Sequence, residues 1–152
     1  MGELISIVYK PMEGQPPADG YLRVPRQEAH LSVDSGIAGD AKGVIPSRHR
    51  NIMASESLAA LAAEGFQTAP GQMGEQLILA GVEIDSLPVG ARLQIGTQAC
   101  VEIKEPRTGC AKFERNQSKL RQEAAGRLGM MAQVVTDGPI AVGDPVTVLE
   151  KA

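Results

Sequence analysis

Tryptophan is missing from this 152-residue chain, and phenylalanine and tyrosine occur only twice each. Its core must therefore be aliphatic. Cysteine is also scarce: Cys100 and Cys110 are too few for a disulfide scaffold. With only His30 and His49 beside them, they make no zinc-ligand set. Basic residues are outnumbered 15 to 18, so the net charge of −3 has the wrong sign for a nucleic-acid module. No apolar run approaches the ~20 residues of a membrane span. The first run, Leu4 to Val8, follows Glu3 rather than a basic stretch, and no secretory leader is expected. A cytoplasmic protein without membrane or nucleic-acid partners is the expectation.

Glycine and proline are plentiful instead. The chain holds 17 Gly and 10 Pro, together well above the average share of about 12%. Such dense punctuation cuts a chain into many short elements, which favours β structure. Strand-like runs are Leu4–Lys10, Ala29–Val33, Ile52–Met53, Leu77–Leu79, Arg92–Ile95, Ala99–Lys104, Met131–Thr136 and Pro145–Leu149. In Ala99–Lys104, Ala99, Val101 and Ile103 fall on one face and Cys100, Glu102 and Lys104 on the other.

Two helices are expected between them. The first starts at Ser55 and stops at Gly65, with Leu58, Leu61 and Ala62 as its apolar stripe. The second runs from about Gln117 to Ala125, capped by Asn116 and ended by Gly126. Helices that interrupt strands without alternating with them disfavour a doubly wound parallel sheet. The predicted fold is mainly β: a closed or nearly closed β-barrel with two short helical insertions, as a single domain over residues 1–152.

Three segments carry candidate chemistry. In Glu105 to Arg115, Cys110 lies just past a strand end, with Arg107, Lys112 and Arg115 around it. Cations favour the thiolate, which is the reactive form. A structural cysteine in a basic loop is the competing expectation. Cys100, mid-strand, reads as a core or wall residue. The second segment, Gly36 to Gly43 followed by Ser47-Arg48-His49-Arg50, is a glycine-rich loop whose N–H groups and cations suit an anion. It equally fits a plain surface loop. The third, Gly71 to Leu77, places the lone acid Glu75 at a loop–strand junction, for capping, arginine pairing or catalysis.

In order and spacing, these segments resemble the MOSC family, named for the C-terminal domain of molybdenum-cofactor sulfurases. The matching pieces are Gly36-Ile37-Ala38-Gly39-Asp40, Gly74-Glu75-Gln76-Leu77, Leu87 to Gly96, Val101 to Cys110, Gly129 to Val134 and Gly138 to Val146. The resemblance implies a β-barrel. It also implies a functional Cys110 that carries sulfur as a persulfide or ligates the metal of a molybdenum–pterin cofactor. Asp40, Lys42, Arg48, Glu75 and Arg107 become the expected cofactor-binding set, with Lys42, Arg48 and Arg107 on the pterin phosphate. Expected partners are a cysteine desulfurase or molybdenum-cofactor proteins. The pyridoxal-phosphate-dependent desulfurase of larger members does not fit in this chain. Two positions depart from the family pattern: Ala41-Lys42 stands where histidine is common, and Gln76 where asparagine is common. An anion-binding or partner-binding barrel with a decayed family site is the alternative expectation.

Overall fold

The computed structural model describes residues 2–9, 24–33, 36–37 and 50–149. The first strands are β1 (Gly2–Tyr9), β2 (Val24–Arg26), β3 (Glu28–Ser32), β4 (Gly36–Ile37) and β5 (Arg50–Ala54). Helix α1 (Ser55–Ala63) leads into β6 (Leu77–Ala80), β7 (Arg92–Ile95) and β8 (Ala99–Pro106). Helix α2 (Ala111–Gln117) precedes β9 (Met130–Thr136), β10 (Gly138–Ala141) and β11 (Pro145–Leu149).

Seven strands close into a barrel in the order β1, β6, β5, β9, β8, β7, β11 and back to β1. The two ends of the described chain make the closure, Gly2 pairing with Val146 and Glu3 with Pro145. Farther along β1, Ile7 to Tyr9 pair with β2 instead. Closure leaves the ring without an open edge, which is what strands of this length need. Neighbours in the ring are antiparallel except β5 and β6, which run parallel with α1 as their crossover. A small second sheet is ordered β10-β3-β4. Among the described residues no helix is long and apolar enough to cross a membrane.

Two cores share one wall of the barrel. Leu4, Ile7, Ile52, Ala54, Leu77, Leu79, Leu93, Val101 and Ile103 belong to the main cluster. Met53 and Ile78, one residue out of step, join Leu58 and Leu61 of α1, Phe66, Met73, Phe113 of α2 and Leu128 in a second cluster. Because side chains alternate along a strand, β5 and β6 are buried on both faces. That explains why they read as unbroken apolar runs. The outer face of β8 shows the opposite pattern: Glu102 bonds Arg92 at 3.1 Å and Lys104 at 2.6 Å.

The helices differ in detail from the sequence expectation. Ser55 is the first helical residue of α1, and its cap, Ala54, makes no side-chain bond. Ala62 is exposed, so the buried stripe is Leu58 and Leu61. The second helix is displaced further: α2 begins at Ala111 with Cys110 as N-cap and ends before Ser118, a left-handed residue with φ 55°. Asn116 lies inside it, and only a 3-10 turn, Arg121–Ala124, covers the later part. Burial decides the register. Phe113 and Gln117, four apart, both face inward, whereas Leu120 is 62% exposed, so residues 118–125 had no stripe to hold a helix down. Glu114 then fixes the departing chain, accepting from the Arg121 main-chain N–H at 2.8 Å and its guanidinium at 3.2 Å.

Candidate functional site

Strand β8 leaves the barrel at Pro106, and the next four residues run to the start of α2. They deliver Cys110 to the surface, exposed, while Cys100 is buried in β8. Burial pushes the Cys100 thiol up, with Arg92 opposing and Glu102 adding. Its sulfur points at the Val101 carbonyl, 3.8 Å away. The two thiols are therefore unequal. Limited alkylation near neutral pH is expected to label Cys110 faster by at least about tenfold. Equal labelling, read by peptide mass spectrometry, would contradict the site.

Arg107 is half-buried and firmly held. Its Nη1 donates to the Met73 carbonyl at 2.5 Å and to Asn51 Oδ1 at 3.3 Å. Its guanidinium carbon stands 5.6 Å from the centre of the Phe113 ring. Asn51 is anchored in turn. Its main-chain N–H donates to Gln76 Oε1 at 2.8 Å, and its side-chain amide donates to the Leu128 carbonyl at 3.2 Å. Gln76 returns a main-chain bond, its N–H donating to the Asn51 carbonyl at 3.0 Å. Gln76 is thus a structural strut.

Glu75 is 1% exposed. One carboxyl oxygen accepts the Gly71 N–H at 2.6 Å, and the other is buried with no well-formed hydrogen bond among the described residues. Burial pushes its pKa up, opposed chiefly by the Gly71 bond and also by the charge of Arg107. A carboxyl raised in this way adds stability fully below its unfolded value and loses it as pH rises through the folded one. Glu75→Gln should therefore melt above the parent at pH 8, by about 2–4 °C for ~1 kcal/mol in a domain this size. The gap should close near pH 4. Superimposable melting curves across that range would contradict the assignment.

The sequence leads one to expect Arg107, Lys112 and Arg115 around Cys110. Arg115 is exposed on α2. Arg107 turns its Nη1 toward the Gly71–Gln76 loop and β5, as above. Arg121, not anticipated, lies within electrostatic reach of Cys110. It is raised above its ordinary value first by its bond to Glu114 and last by Cys110. The left-handed turn at Ser118 brings it back, and no local pattern announces that. Nor did any motif mark Asn51, a single polar residue beside an apolar strand, or the Phe113 ring. The positions of Asp40, Lys42 and Arg48 lie outside the described residues, as does the side chain of Lys112. Residues 38–43 of the glycine-rich segment lie outside them too. Asn116 opens an Asn-Gln-Ser sequon, yet its side chain is buried within α2.

No curated protein matches the chain. Solved structures do. The crystal structure of the YuaD protein from Bacillus subtilis is similar with a TM-score of 0.78 at 15% identity, over 96% of this chain and 94% of that one. YiiM from Geobacillus stearothermophilus gives 0.74 at 21% identity, over 99% and 76%. YiiM from Escherichia coli gives 0.70 at 20%, over 99% and 71%. At such identities these likenesses concern the fold. The family model described as MOSC domain matches residues 40–147, a span from the glycine-rich loop through β9 into β11, with Cys110 and Arg107 inside it, and by that match the chain belongs to the MOSC domain family.

Proposed function

We propose that this MOSC domain handles sulfur or a molybdenum–pterin cofactor through Cys110. One observation carries the reading: of two cysteines, the one in the family's motif stands exposed at the head of α2, with Arg107 fixed on the same loop. As a carrier, the Cys110 thiolate attacks the outer sulfur of a donor persulfide on a cysteine desulfurase. A new S–S bond forms, the donor's S–S bond breaks, and the donor cysteine leaves as a thiolate. The product is a persulfide on Cys110, with no net oxidation and no further reactant.

The described residues also fit a molybdenum–pterin group. Cys110 offers a thiolate, which metal ligation keeps deprotonated. Arg107 offers a charge unspent by any ion pair among the described residues, suited to a phosphate. Glu75 keeps a buried oxygen with no well-formed hydrogen bond among the described residues, the kind of polar atom a bound group satisfies. Asp40, Lys42 and Arg48 join the proposal through the family's motifs, Arg48 being linked through His49 to Arg50, where β5 starts. When bound, the cofactor supplies two-electron redox and atom-transfer chemistry. This chain's own part is to hold it: Cys110 on the metal, the cations on the phosphate.

The test is a measurement of sulfane sulfur and molybdenum per chain, on protein purified from cells with molybdenum-cofactor biosynthesis intact. A parent protein carrying either one is expected. Absence of both, after incubation with a desulfurase and cysteine as well, would defeat the proposal.

A further inference from the structure

We propose that Asn51 is the positioning residue that makes Arg107 a fixed, two-pronged receptor for a terminal phosphate. The inference rests on Arg107 being an anion-binding side chain, and it assigns the role to a residue that no motif marks.

Asn51 is 3% exposed, the polar member at the start of an apolar strand. Its amide cannot be turned around. The Leu128 carbonyl 3.2 Å from Nδ2 can only accept, so the NH2 group must face it. Oδ1 is thereby pointed at Arg107 Nη1. The main chain of Asn51 is clamped on both sides by Gln76, which leaves the amide little freedom to follow a moving guanidinium. The Met73 carbonyl takes the second Nη1 bond at 2.5 Å. The Phe113 ring lies against the guanidinium from a third direction.

Both Nη1 protons are spent in this way. Among the described residues nothing accepts from Nε or Nη2 of Arg107. Those two nitrogens form one edge of the guanidinium, with parallel N–H bonds spaced for two oxygens of one anion. A neutral amide suits the task where a carboxylate would not. It supplies the acceptor that fixes the group but leaves the positive charge available. Glu75, the acid within electrostatic reach, is pushed toward its neutral form by burial, which also preserves the charge.

The test uses the full chain, with inorganic phosphate as probe and the side-chain nitrogen NMR signals of Arg107 as readout. In the parent, separate and slowly exchanging Nη signals are expected, with a saturable shift of the Nε–Hε signal on phosphate addition. Asn51→Asp keeps an oxygen toward Arg107 but pairs with its charge. It should weaken phosphate by at least about tenfold, the worth of one charge-assisted hydrogen bond, with backbone shifts confined to the neighbourhood of Leu128, whose carbonyl loses its donor. Asn51→Ala removes the acceptor without adding charge: a purely structural asparagine would there lower the melting temperature and leave phosphate affinity unmoved, whereas the positioning role predicts a several-fold loss. Affinity within twofold of the parent in Asn51→Asp, or a single averaged Nη signal in the parent, overturns the proposal. The second measurement needs no variant and decides the matter if Asn51→Asp does not fold. Arg107→Lys separates the two levels. It should bind phosphate several-fold more weakly than the parent. Binding equal to the parent's, or no saturable shift in the parent, defeats the anion-binding role of Arg107 itself.

Discussion

Cys110→Ser protein is expected to carry essentially no sulfane sulfur, while Cys100→Ser keeps the parent's load. The geometry makes this an unusually clean substitution. Cys110 is the N-cap of α2, in extended backbone (φ −157°, ψ 178°), and makes no side-chain capping bond. Serine is among the best N-cap residues and suits that conformation, so the variant should be as stable as the parent or gain up to about 1 kcal/mol. Its hydroxyl cannot hold a persulfide. A loss of sulfur at unchanged or raised melting temperature therefore reports chemistry and not unfolding. Cys110→Ala extends the test to molybdenum, since alanine removes every donor atom. Equal sulfur and molybdenum on Cys110→Ala and the parent would remove Cys110 from the function. If the load follows Cys100 instead, the carrier lies inside the barrel wall and the exposed loop is irrelevant to it.

Most barrel strands were legible because β-branched runs and Gly/Pro breaks are local signals. Pairings between distant segments were not. The barrel closes where Gly2 meets Val146, and nothing near either residue announces the other. Strands β2, β4 and β10 exist because a partner lies alongside, not because of their own propensity; β4 is two residues long. The shifted α2 shows the same limit from the other side. Asn116 and Gly126 are fair cap and stop residues, but tertiary burial of Phe113 outweighed them. At the site, Cys110, Arg107 and Glu75 were legible as residue types in a familiar order. The contacts that give them their properties were not. The Met73 carbonyl, the Gln76–Asn51 couple and the Phe113 ring reach Arg107 through tertiary packing, and Arg121 comes within electrostatic reach of Cys110 after the left-handed Ser118.

The same dependence on packing makes Gly129→Ala the substitution expected to damage the fold most. Gly129 has φ +82°, a region in which a Cβ costs roughly 1–2 kcal/mol. That cost is the smaller part. A Cβ there would overlap the Ile52 carbonyl oxygen and stand 2.8 Å from Met53 Cγ. Strand β5 cannot retreat, since Ile52 pairs with Leu77 on one side and Met130 on the other. Nor can residue 129 move away. Its N–H donates to Asp85 Oδ1 at 2.9 Å, and its carbonyl accepts the Arg107 N–H at 3.1 Å. Gly129→Ala is expected to cost about 3–5 kcal/mol and to lower the melting temperature by roughly 10 °C or more. Gly126→Ala is the matched control. Its φ is +79°, but nothing lies within 4 Å of its added Cβ, so only the backbone cost should appear, a few degrees at most. The difference between the two isolates the close approach of residue 129 to β5. Because that glycine also anchors the Arg107 main chain, partly folded Gly129→Ala should lose phosphate affinity along with stability, whereas Gly126→Ala should bind like the parent. Equal melting temperatures for the two variants would show that β5 yields, and that the wall carrying Asn51 is softer than its paired strands imply.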